Sequence, residues 1–254
     1  MKLAIDIGNS FSHFAVYNEK KRIFITKCDS KSIKDFKNIL KNISYNFNIT
    51  SIGISSVNHN FLRISNDIVT KLFKLKPLII NFKSKLPISI KIKSVNTLGA
   101  DRICNAVYGH TYYQGKENVL IVDLGTANTY DIVTKKGEFI GGIIAPGIMT
   151  SSKALNINTA NLPLLEYKNL SKGAPLIGKN TFEAIQSGLV NYMKFATEGI
   201  VQKAKKQFKG NLKVILTGGS AELLVRKLNF KYIYVQNTVL DAINIILNYQ
   251  NTAK

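Results

Sequence analysis

Two short turns built on the pattern Asp-x-Gly carry the residues with the clearest chemistry in this chain. They read Asp6-Ile7-Gly8-Asn9-Ser10 and Asp123-Leu124-Gly125-Thr126-Ala127-Asn128-Thr129. Glycine lets the backbone approach a ligand closely, and the N–H groups of such a turn form a concavity that binds anions. Hydroxyls at Ser10, Thr126 and Thr129 add hydrogen-bond donors. The carboxylates of Asp6 and Asp123 are hard oxygen ligands for Mg²⁺ or another cation, so the turns predict binding of a phosphate-bearing ligand.

The two turns lie at equivalent points of an internal duplication. Residues 5–17 align with residues 122–134, and in both copies an apolar run ends in the Asp-x-Gly turn. An alternating segment follows, then a charged turn at 18–21 or 135–138, then another apolar run. Alternation with a period of two between turn residues is typical of β-strands, so each copy predicts three consecutive strands joined by tight turns.

Apolar residues at helical spacing identify the elements between the strands. Helices are predicted over 32–42, 103–108 and 241–249. The clearest helix starts at Thr181, where Asn180 or Thr181 can cap it. Its apolar face is formed by Phe182, Ile185, Leu189, Tyr192, Met193, Ala196 and Ile200. Further strands are predicted at 52–54 and 214–216.

Strands interleaved with helices predict an α/β fold with mixed central sheets flanked by helices. The duplication predicts two lobes with a cleft between them. The first lobe would span residues 1–115 and carry the first turn, and the second would span 116–254 and carry the second turn.

A third glycine turn follows the predicted strand at 214–216. It reads Thr217-Gly218-Gly219-Ser220-Ala221-Glu222 and is expected to open a helix over 223–228. A nucleotide can lie against bare backbone at Gly218 and Gly219 if a helix N-terminus follows them. The motifs G-x-x-x-x-G-K-[ST] and G-x-G-x-x-G are both absent, which excludes the two commonest nucleotide-binding signatures.

Composition limits the classes of partner. The chain has 254 residues, a net charge of +20 and a pI near 9.8, and only four of its 35 basic residues are Arg. Sparse Arg and thinly spread Lys argue against a nucleic-acid partner, because Arg is the residue favoured for bidentate phosphate and base contacts.

The longest apolar runs are far too short to span a membrane, and Asp6 interrupts any signal-peptide core, so a cytoplasmic location is expected. Two cysteines and three scattered histidines predict neither a disulfide framework nor a His/Cys metal site.

The motifs together resemble type III pantothenate kinase, within the fold family of actin, the Hsp70 ATPase domain and sugar kinases. The resemblance covers the chain end to end and in order. Besides the three glycine turns, it rests on Leu98-Gly99-Ala100-Asp101-Arg102, Gly141-Gly142-Ile143-Ile144-Ala145-Pro146-Gly147, Thr159-Ala160-Asn161-Leu162-Pro163 and Gly178-Lys179-Asn180-Thr181. Gly-Ala-Asp-Arg between the two phosphate turns is the most specific of these.

The resemblance implies a duplicated actin-like (RNase H-like) ATPase fold and transfer of the ATP γ-phosphoryl to pantothenate, the step that opens coenzyme A synthesis. It implies Asp101 as catalytic base, a pantothenate-binding segment of Gly99, Ala100, Asp101 and Arg102, and a further substrate contact at Thr181. Asp123 would hold a monovalent cation, K⁺ or NH₄⁺, and Asp6 would hold Mg²⁺ directly or through a water. The resemblance also implies a homodimer with the substrate site completed across the interface. The expected ATP-binding residues are Asp6, Gly8, Asn9, Ser10, Phe11, Ser12, His13, Gly125, Thr126, Thr129, Gly218 and Gly219.

The residues around Asp101 independently favour a functional role. Gly99 and Ala100 leave room for a ligand, and Arg102 can pair with an anionic substrate. The structural alternative is that Asp101 caps a helix over 103–108, and the two roles are compatible.

The chain departs from the family pattern at several positions. Ile92 and Val95 stand where many members have Tyr and Pro, and an Ile cannot make the aromatic or hydroxyl contact to substrate that a Tyr makes. Ser10 replaces a Thr and keeps its hydroxyl, whereas His13 stands where some members have Lys, so a cationic contact to phosphate is weakened at neutral pH.

Two other functions remain open. One is a kinase or ATPase of the same fold that acts on another small molecule, and the other is a regulatory, transcriptional accessory protein on the same scaffold. Gly-Ala-Asp-Arg argues against the first, and the intact Asp residues argue against the second.

Overall fold

The computed structural model describes residues 1–171 and 175–251. These residues form two compact units. Unit 1 comprises Met1–Gly115, Val133–Ile140 and the chain from Asn237 onward, and unit 2 comprises Lys116–Ile132 and Gly141–Gln236. The division based on sequence placed the segment 133–140 and the last helix in the second lobe, whereas the packing places both in unit 1.

Strands and helices are interleaved along the chain. The strands are β1 Lys2–Ile7, β2 Phe11–Asn18, β3 Lys21–Asp29, β4 Ser51–Ser56, β5 Leu78–Ile79, β6 Ser89–Ile90, β7 Val119–Leu124, β8 Ala127–Val133, β9 Glu138–Pro146, β10 Lys213–Thr217 and β11 Ile233–Tyr234. The helices are α1 Ile33–Asn46, α2 His59–Phe73, α3 Ala100–Tyr112, α4 Ile148–Asn158, α5 Tyr167–Leu170, α6 Thr181–Gln207 and α7 Thr238–Asn251. Short 3₁₀ helices span Val95–Thr97 and Ala221–Leu223.

The predicted α/β class is confirmed, with three consecutive strands in each copy of the repeat. The helix expected over 223–228 is wrong. The chain forms only the 3₁₀ helix Ala221–Leu223 there, and Arg226 has a φ of 69°. A residue in this left-handed conformation cannot continue a right-handed helix. The Arg226 backbone N–H instead donates to the Tyr232 hydroxyl at 2.9 Å. Helices α2 and α4 were not expected from the sequence.

Unit 1 is built on a mixed sheet in the order β3-β2-β1-β4-β5. Strand β1 pairs antiparallel with β2 and parallel with β4. Leu3, Ile5 and Ile7 of β1 lie on one face of this sheet and join a core with Phe36 and Leu40 of α1. Because strand side chains alternate between faces, Ala4 and Asp6 lie on the opposite face.

The last helix, α7, packs against the opposite face of the sheet at a point where the sheet residues are small. Ala4 is in register with Ala15 on β2 and with Gly53 on β4. A Cβ placed on Gly53 would lie 2.5 Å from Cγ2 of Ile243 in α7, so this helix rests directly on the sheet backbone. Helix α7 is also fixed by hydrogen bonds. The Tyr17 hydroxyl donates to Asp241 Oδ1 at 2.6 Å, which also lies 3.3 Å from the Arg22 guanidinium.

Unit 2 contains most of the second sheet, whose order is β11-β10-β7-β8-β9-β6. Strand β10 is parallel to both β7 and β11. The long helix α6 begins at Thr181, and Asn180, one of the two capping residues predicted from sequence, caps it: the Asn180 side chain accepts from the Glu183 N–H at 2.9 Å. Its buried side chains pack with Leu120, Val122 and Leu216 of β7 and β10. Within 1–171 and 175–251, no helix is both long and apolar enough to cross a membrane.

The packing of α7 on the sheet can be tested with two glycine substitutions. We expect Gly53→Ala to lower the free energy of unfolding by about 1–3 kcal/mol, since overpacking costs that much. Gly199→Ala is the control, because a Cβ at Gly199 in α6 meets no atom within 4 Å. It should stabilise the protein by about 0.5–1 kcal/mol through helix propensity. Equal effects of the two variants in urea unfolding would contradict this packing.

Candidate active site

The first Asp-x-Gly turn joins β1 to β2 and is closed by its own backbone. The Gly8 N–H donates to the Phe11 carbonyl at 3.1 Å, and a Cβ on Gly8 would lie 3.0 Å from that oxygen. Ser30, which the sequence analysis missed, holds the turn from outside. Its hydroxyl donates to the Gly8 carbonyl at 2.8 Å, and its N–H donates to the Ser10 carbonyl at 3.0 Å.

The residues of this turn that were predicted to bind a ligand differ in how exposed they are. Asn9, Ser10 and Phe11 are exposed. Ser12 is fully buried, and its hydroxyl lies 3.0 Å from that of Ser30, so it helps to hold the turn and is not on its surface. His13 is partly buried, and its pKa is lowered by burial and then by the charge of Lys27.

Asp101 lies in the first turn of α3, and Gly99 is the residue that precedes this helix as its N-cap. Asp101 Oδ1 accepts from the Arg102 N–H at 2.8 Å. The same oxygen would lie only 2.4 Å from a Cβ on Gly99, so glycine is needed at that position for the carboxylate to fold back over the helix start. Asp101 is therefore not the capping residue that the structural alternative proposed.

The environment of Asp101 favours its protonated form. Burial raises its pKa, and the backbone N–H and charge of Arg102 oppose that rise. The Arg102 guanidinium lies 5.6 Å from the ring centre of Phe139, which is buried in β9. Asp101 is thus a carboxylate whose proton affinity is above the ordinary value, next to a cation fixed against an aromatic ring.

Unit 1 brings Asp101 and Asp6 to the same region. Cys104 lies one helical turn after Asp101 and is fully buried, and its pKa is raised first by burial and then by the charges of Asp6 and Asp101. Ser55 lies near this thiol and is in register with Asp6 across β1 and β4. Neither Ser55 nor Cys104 was identified from sequence. The position of Ser55 at the carboxyl end of a strand parallel to β1 could have indicated it.

The second Asp-x-Gly turn joins β7 to β8 in unit 2. The Gly125 N–H donates to the Ala127 carbonyl at 3.2 Å. The Thr126 carbonyl accepts from the Gly147 N–H at 3.1 Å and from the Thr150 hydroxyl at 2.6 Å, which ties the turn to the start of α4. Thr126 is exposed, whereas Thr129 is buried.

The late Gly-Gly turn contacts the second Asp-x-Gly turn. Gly218 has a φ of 95°, and a Cβ there would lie 2.4 Å from Asp123 Oδ1 and 2.5 Å from the Leu124 carbonyl oxygen. The Ser220 N–H donates to that carbonyl at 2.8 Å. Gly219 differs, because a Cβ there meets no atom within 4 Å. Gly218 is thus required by the fold, whereas Gly219 leaves open space beside the turn.

Thr181 is the first residue of α6 and is exposed. It belongs to unit 2, whereas Gly99, Ala100, Asp101 and Arg102 belong to unit 1. Thr181 is one of the residues that line a largely apolar cavity of about 1110 Å³ next to α4 and α6.

Two residues depart from the family pattern near the substrate segment. Val95 begins the 3₁₀ helix Val95–Thr97, and Ile92 lies just after β6.

The acidic residues of the two Asp-x-Gly turns are candidate ligands for a cation. In the part of the chain that the structure describes, no cluster of three or more His, Cys, Asp or Glu side chains could hold a metal. A cation at either turn would therefore use one carboxylate together with backbone or phosphate oxygens. At Gly218 the Asp123 carboxylate and the Leu124 carbonyl lie close to the same point. A donor set of oxygens alone fits a hard cation.

Comparison with known proteins identifies the family. The model of the type III pantothenate kinase family matches residues 2–203. The chain belongs to the type III pantothenate kinase family. A relative of that name from Persephonella marina is 37% identical over 257 residues, which cover 98% of this chain and 99% of the relative. A second, from Sulfurihydrogenibium sp., is 32% identical over 257 residues, or 98% of this chain and 100% of the relative.

Solved structures with little sequence similarity share the fold. The ethanolamine utilization protein EutJ from Carboxydothermus hydrogenoformans is 12% identical with a TM-score of 0.54, covering 97% of this chain and 89% of that protein. A ROK family protein from Streptococcus pneumoniae is 9% identical with a TM-score of 0.53, covering 99% of both. Component A of (R)-2-hydroxyglutaryl-CoA dehydratase from Acidaminococcus fermentans is 12% identical with a TM-score of 0.53, covering 100% of this chain and 99% of that one.

These findings confirm three predictions from the sequence. The fold is the duplicated actin-like one, the family is type III pantothenate kinase, and the chain is accordingly an enzyme of the kinase class.

Gly218 and Gly219 provide a paired test of where nucleotide lies. We expect Gly218→Ala to lower Tm, because the new methyl group collides with Asp123 and Leu124 at a positive φ. Gly219→Ala should leave Tm unchanged but raise KM for ATP about tenfold, if overpacking of about 1–3 kcal/mol falls on the bound nucleotide. Thermal unfolding and initial rates distinguish the two. A Gly219→Ala enzyme with unaltered KM would show that nucleotide does not occupy this space.

Proposed function

We propose that this protein transfers the γ-phosphoryl group of ATP to the primary hydroxyl of pantothenate, with Asp101 as general base. The product is 4′-phosphopantothenate, the first intermediate of coenzyme A synthesis. The observation that carries the proposal is the placement of Asp101 in the first turn of α3, folded over Gly99, with a raised pKa. We also propose a cytoplasmic location.

The raised pKa of Asp101 suits a general base. Proton transfer is most effective when the pKa of the base approaches the operating pH, and burial moves Asp101 in that direction. In the step proposed, the substrate oxygen forms a bond to the γ-phosphorus while the bond from that phosphorus to the β–γ bridging oxygen breaks. Asp101 takes the hydroxyl proton, and ADP leaves with the electron pair of the broken bond.

Arg102 is proposed to orient the substrate. Its guanidinium lies 5.6 Å from the centre of the Phe139 ring, and this cation–π contact limits its motion. Pantothenate carries a carboxylate, and a guanidinium binds such a group through charge-assisted hydrogen bonds. Gly99 leaves room for the Asp101 carboxylate beside Arg102.

ATP is proposed to bind through the glycine turns. The proposed ATP-binding residues of unit 1 are Asp6, Gly8, Asn9, Ser10, Phe11, Ser12 and His13. Those of unit 2 are Gly125, Thr126, Thr129, Gly218 and Gly219. The exposure of Asn9 and Ser10 in the first Asp-x-Gly turn and of Thr126 in the second supports phosphate binding. The buried side chains of Ser12 and Thr129 leave them to act through the backbone or by holding their turns.

Two cations are proposed to assist. Asp6, directly or through a water, fits Mg²⁺, and Asp123 with the Leu124 carbonyl fits K⁺ or NH₄⁺. Such ions neutralise phosphate charge and fix phosphate geometry when bound.

A homodimer is proposed, with Thr181 completing the substrate site across the interface. The apolar cavity next to α4 and α6 supports it, as do exposed apolar side chains at Ile157, Phe182, Tyr192 and Phe195. Exposed apolar surface of this kind often marks a protein interface.

The central experiment measures ADP release from purified protein with ATP, Mg²⁺ and K⁺, with and without pantothenate. Asp101→Asn should reduce kcat by about 10²–10⁴-fold, the usual contribution of a general base. The amide oxygen can still accept from the Arg102 N–H, so the fold is preserved. Asp35→Asn is the matched control, because it also lies in the first turn of a helix and should leave kcat unchanged. Near-normal turnover by Asp101→Asn would refute the assignment.

The same variant has a pH-dependent effect on stability. A carboxyl with a folded-state pKa above its unfolded value destabilises the folded protein as pH rises through that folded pKa. Asp101→Asn should therefore raise Tm above that of the unaltered protein at neutral and basic pH. The difference should vanish below about pH 4, where the carboxyl is protonated in both states. A Tm below that of the unaltered protein at pH 8 would show that the burial of Asp101 carries no such penalty.

Asp123 can be tested through the cation response. We expect Asp123→Ala to abolish stimulation by K⁺, since the variant removes the only side-chain oxygen in the proposed donor set. Rates would be measured against K⁺ concentration at constant ionic strength, with Asp67→Ala on α2 as the control. An Asp123→Ala enzyme that keeps the K⁺ response would place the cation elsewhere.

A further inference from the structure

A row of polar side chains crosses the sheet of unit 1 beside the first turn. Asp6 on β1 is in register with His13 on β2, and His13 is in register with Lys27 on β3. Side chains at paired positions of neighbouring strands lie on the same face of a sheet. Lys27, His13 and Asp6 therefore lie side by side on the face that also carries Ser55.

The Lys27 ammonium is held close to the turn. Its Nζ lies 4.8 Å from the ring centre of Phe11, the first residue after the turn. The Phe11 side chain is 46% exposed, so its ring is accessible to a cation on this side of the sheet. A cation–π contact at an exposed site is worth about 0.5–1 kcal/mol, which is enough to favour one side-chain position and too weak to prevent another.

Lys27 is the basic side chain of this row, and His13 lies between it and Asp6. The charge of Lys27 acts on its neighbour, because the pKa of His13 is lowered first by burial and then by Lys27. Within the row, Asp6 on one side of His13 is negative and Lys27 on the other side is positive. The spacing between neighbouring strands is about 4.8 Å, so a lysine side chain on β3 can extend over the His13 position.

We propose that Lys27 is a phosphate-binding residue, whose ammonium group contacts the polyphosphate of the nucleotide at the first turn. This rests on the proposal that ATP binds there. The ammonium leaves the Phe11 ring and donates hydrogen bonds to phosphate oxygens, while the turn N–H groups bind the same chain of phosphates. Lysine suits this role, because it is a flexible point charge with three donors.

The test uses Lys27→Met, which keeps the length and apolar stem of the side chain and removes its charge. We expect KM for ATP to rise about tenfold, while KM for pantothenate and Tm stay unchanged. Lys27→Arg should restore most of the ATP affinity. Lys21→Met is the matched control, since Lys21 lies at the opposite end of β3, in register with Asn18. A similar rise in KM for ATP in both Met variants, or in neither, would overturn the proposal.

A direct binding measurement tests the role of Lys27 without depending on catalysis. Inorganic tripolyphosphate and ATP would be titrated into the full chain by calorimetry without pantothenate. The proposal requires weaker binding of both ligands by Lys27→Met, and equal binding by Lys21→Met and the unaltered protein. Failure of pantothenate-dependent ADP release alone would count against the proposed function only. Unchanged tripolyphosphate binding by Lys27→Met, or no binding by the unaltered protein, would refute the role of Lys27.

Discussion

The alternation of side chains along β1 is the constraint from which the core and the candidate site of unit 1 both follow. Leu3, Ile5 and Ile7 point to one face and fill the core with α1. Ala4 and Asp6 must then point to the other face, where Ala15 and Gly53 leave only backbone for α7 to rest on. The same period of two that buries the core thus delivers a carboxylate to the opposite face at the end of the strand.

Burial suits Asp101 to the role proposed for it and also makes its ionised form costly to the folded state. A carboxyl removed from water holds its proton more tightly, which makes it a better base near neutral pH and a poorer contributor to stability when ionised. Gly99 belongs to the same arrangement, because only a residue without a side chain lets the carboxylate fold over the start of α3. In the proposed role, catalysis and stability make opposite demands on this one side chain.

The parts of this structure governed by local pattern could be predicted from sequence, and those governed by distant contacts could not. Alternating runs around the Asp-x-Gly turns predicted both sets of three strands, and capping residues located the start of α6. The contacts of Ser30 with the first turn left no local signal. The helix expected over 223–228 failed because Arg226 takes a left-handed conformation while its N–H donates to Tyr232, a tertiary contact that overrides propensity. The candidate residues were identified by spacing, but the raised pKa of Asp101 depends on burial, which spacing does not reveal.

The membership of α7 in unit 1 has a consequence for how the protein is made. Of the elements that the structure describes, strand β1 leaves the ribosome first and α7, the helix that covers its Ala4 face, leaves last. Throughout translation of the intervening residues, that face of the nascent sheet lacks its native cover. Contacts between such distant segments slow folding, because the long intervening loop must close before they form. Co-translational folding should therefore complete unit 1 only after unit 2 has been synthesised.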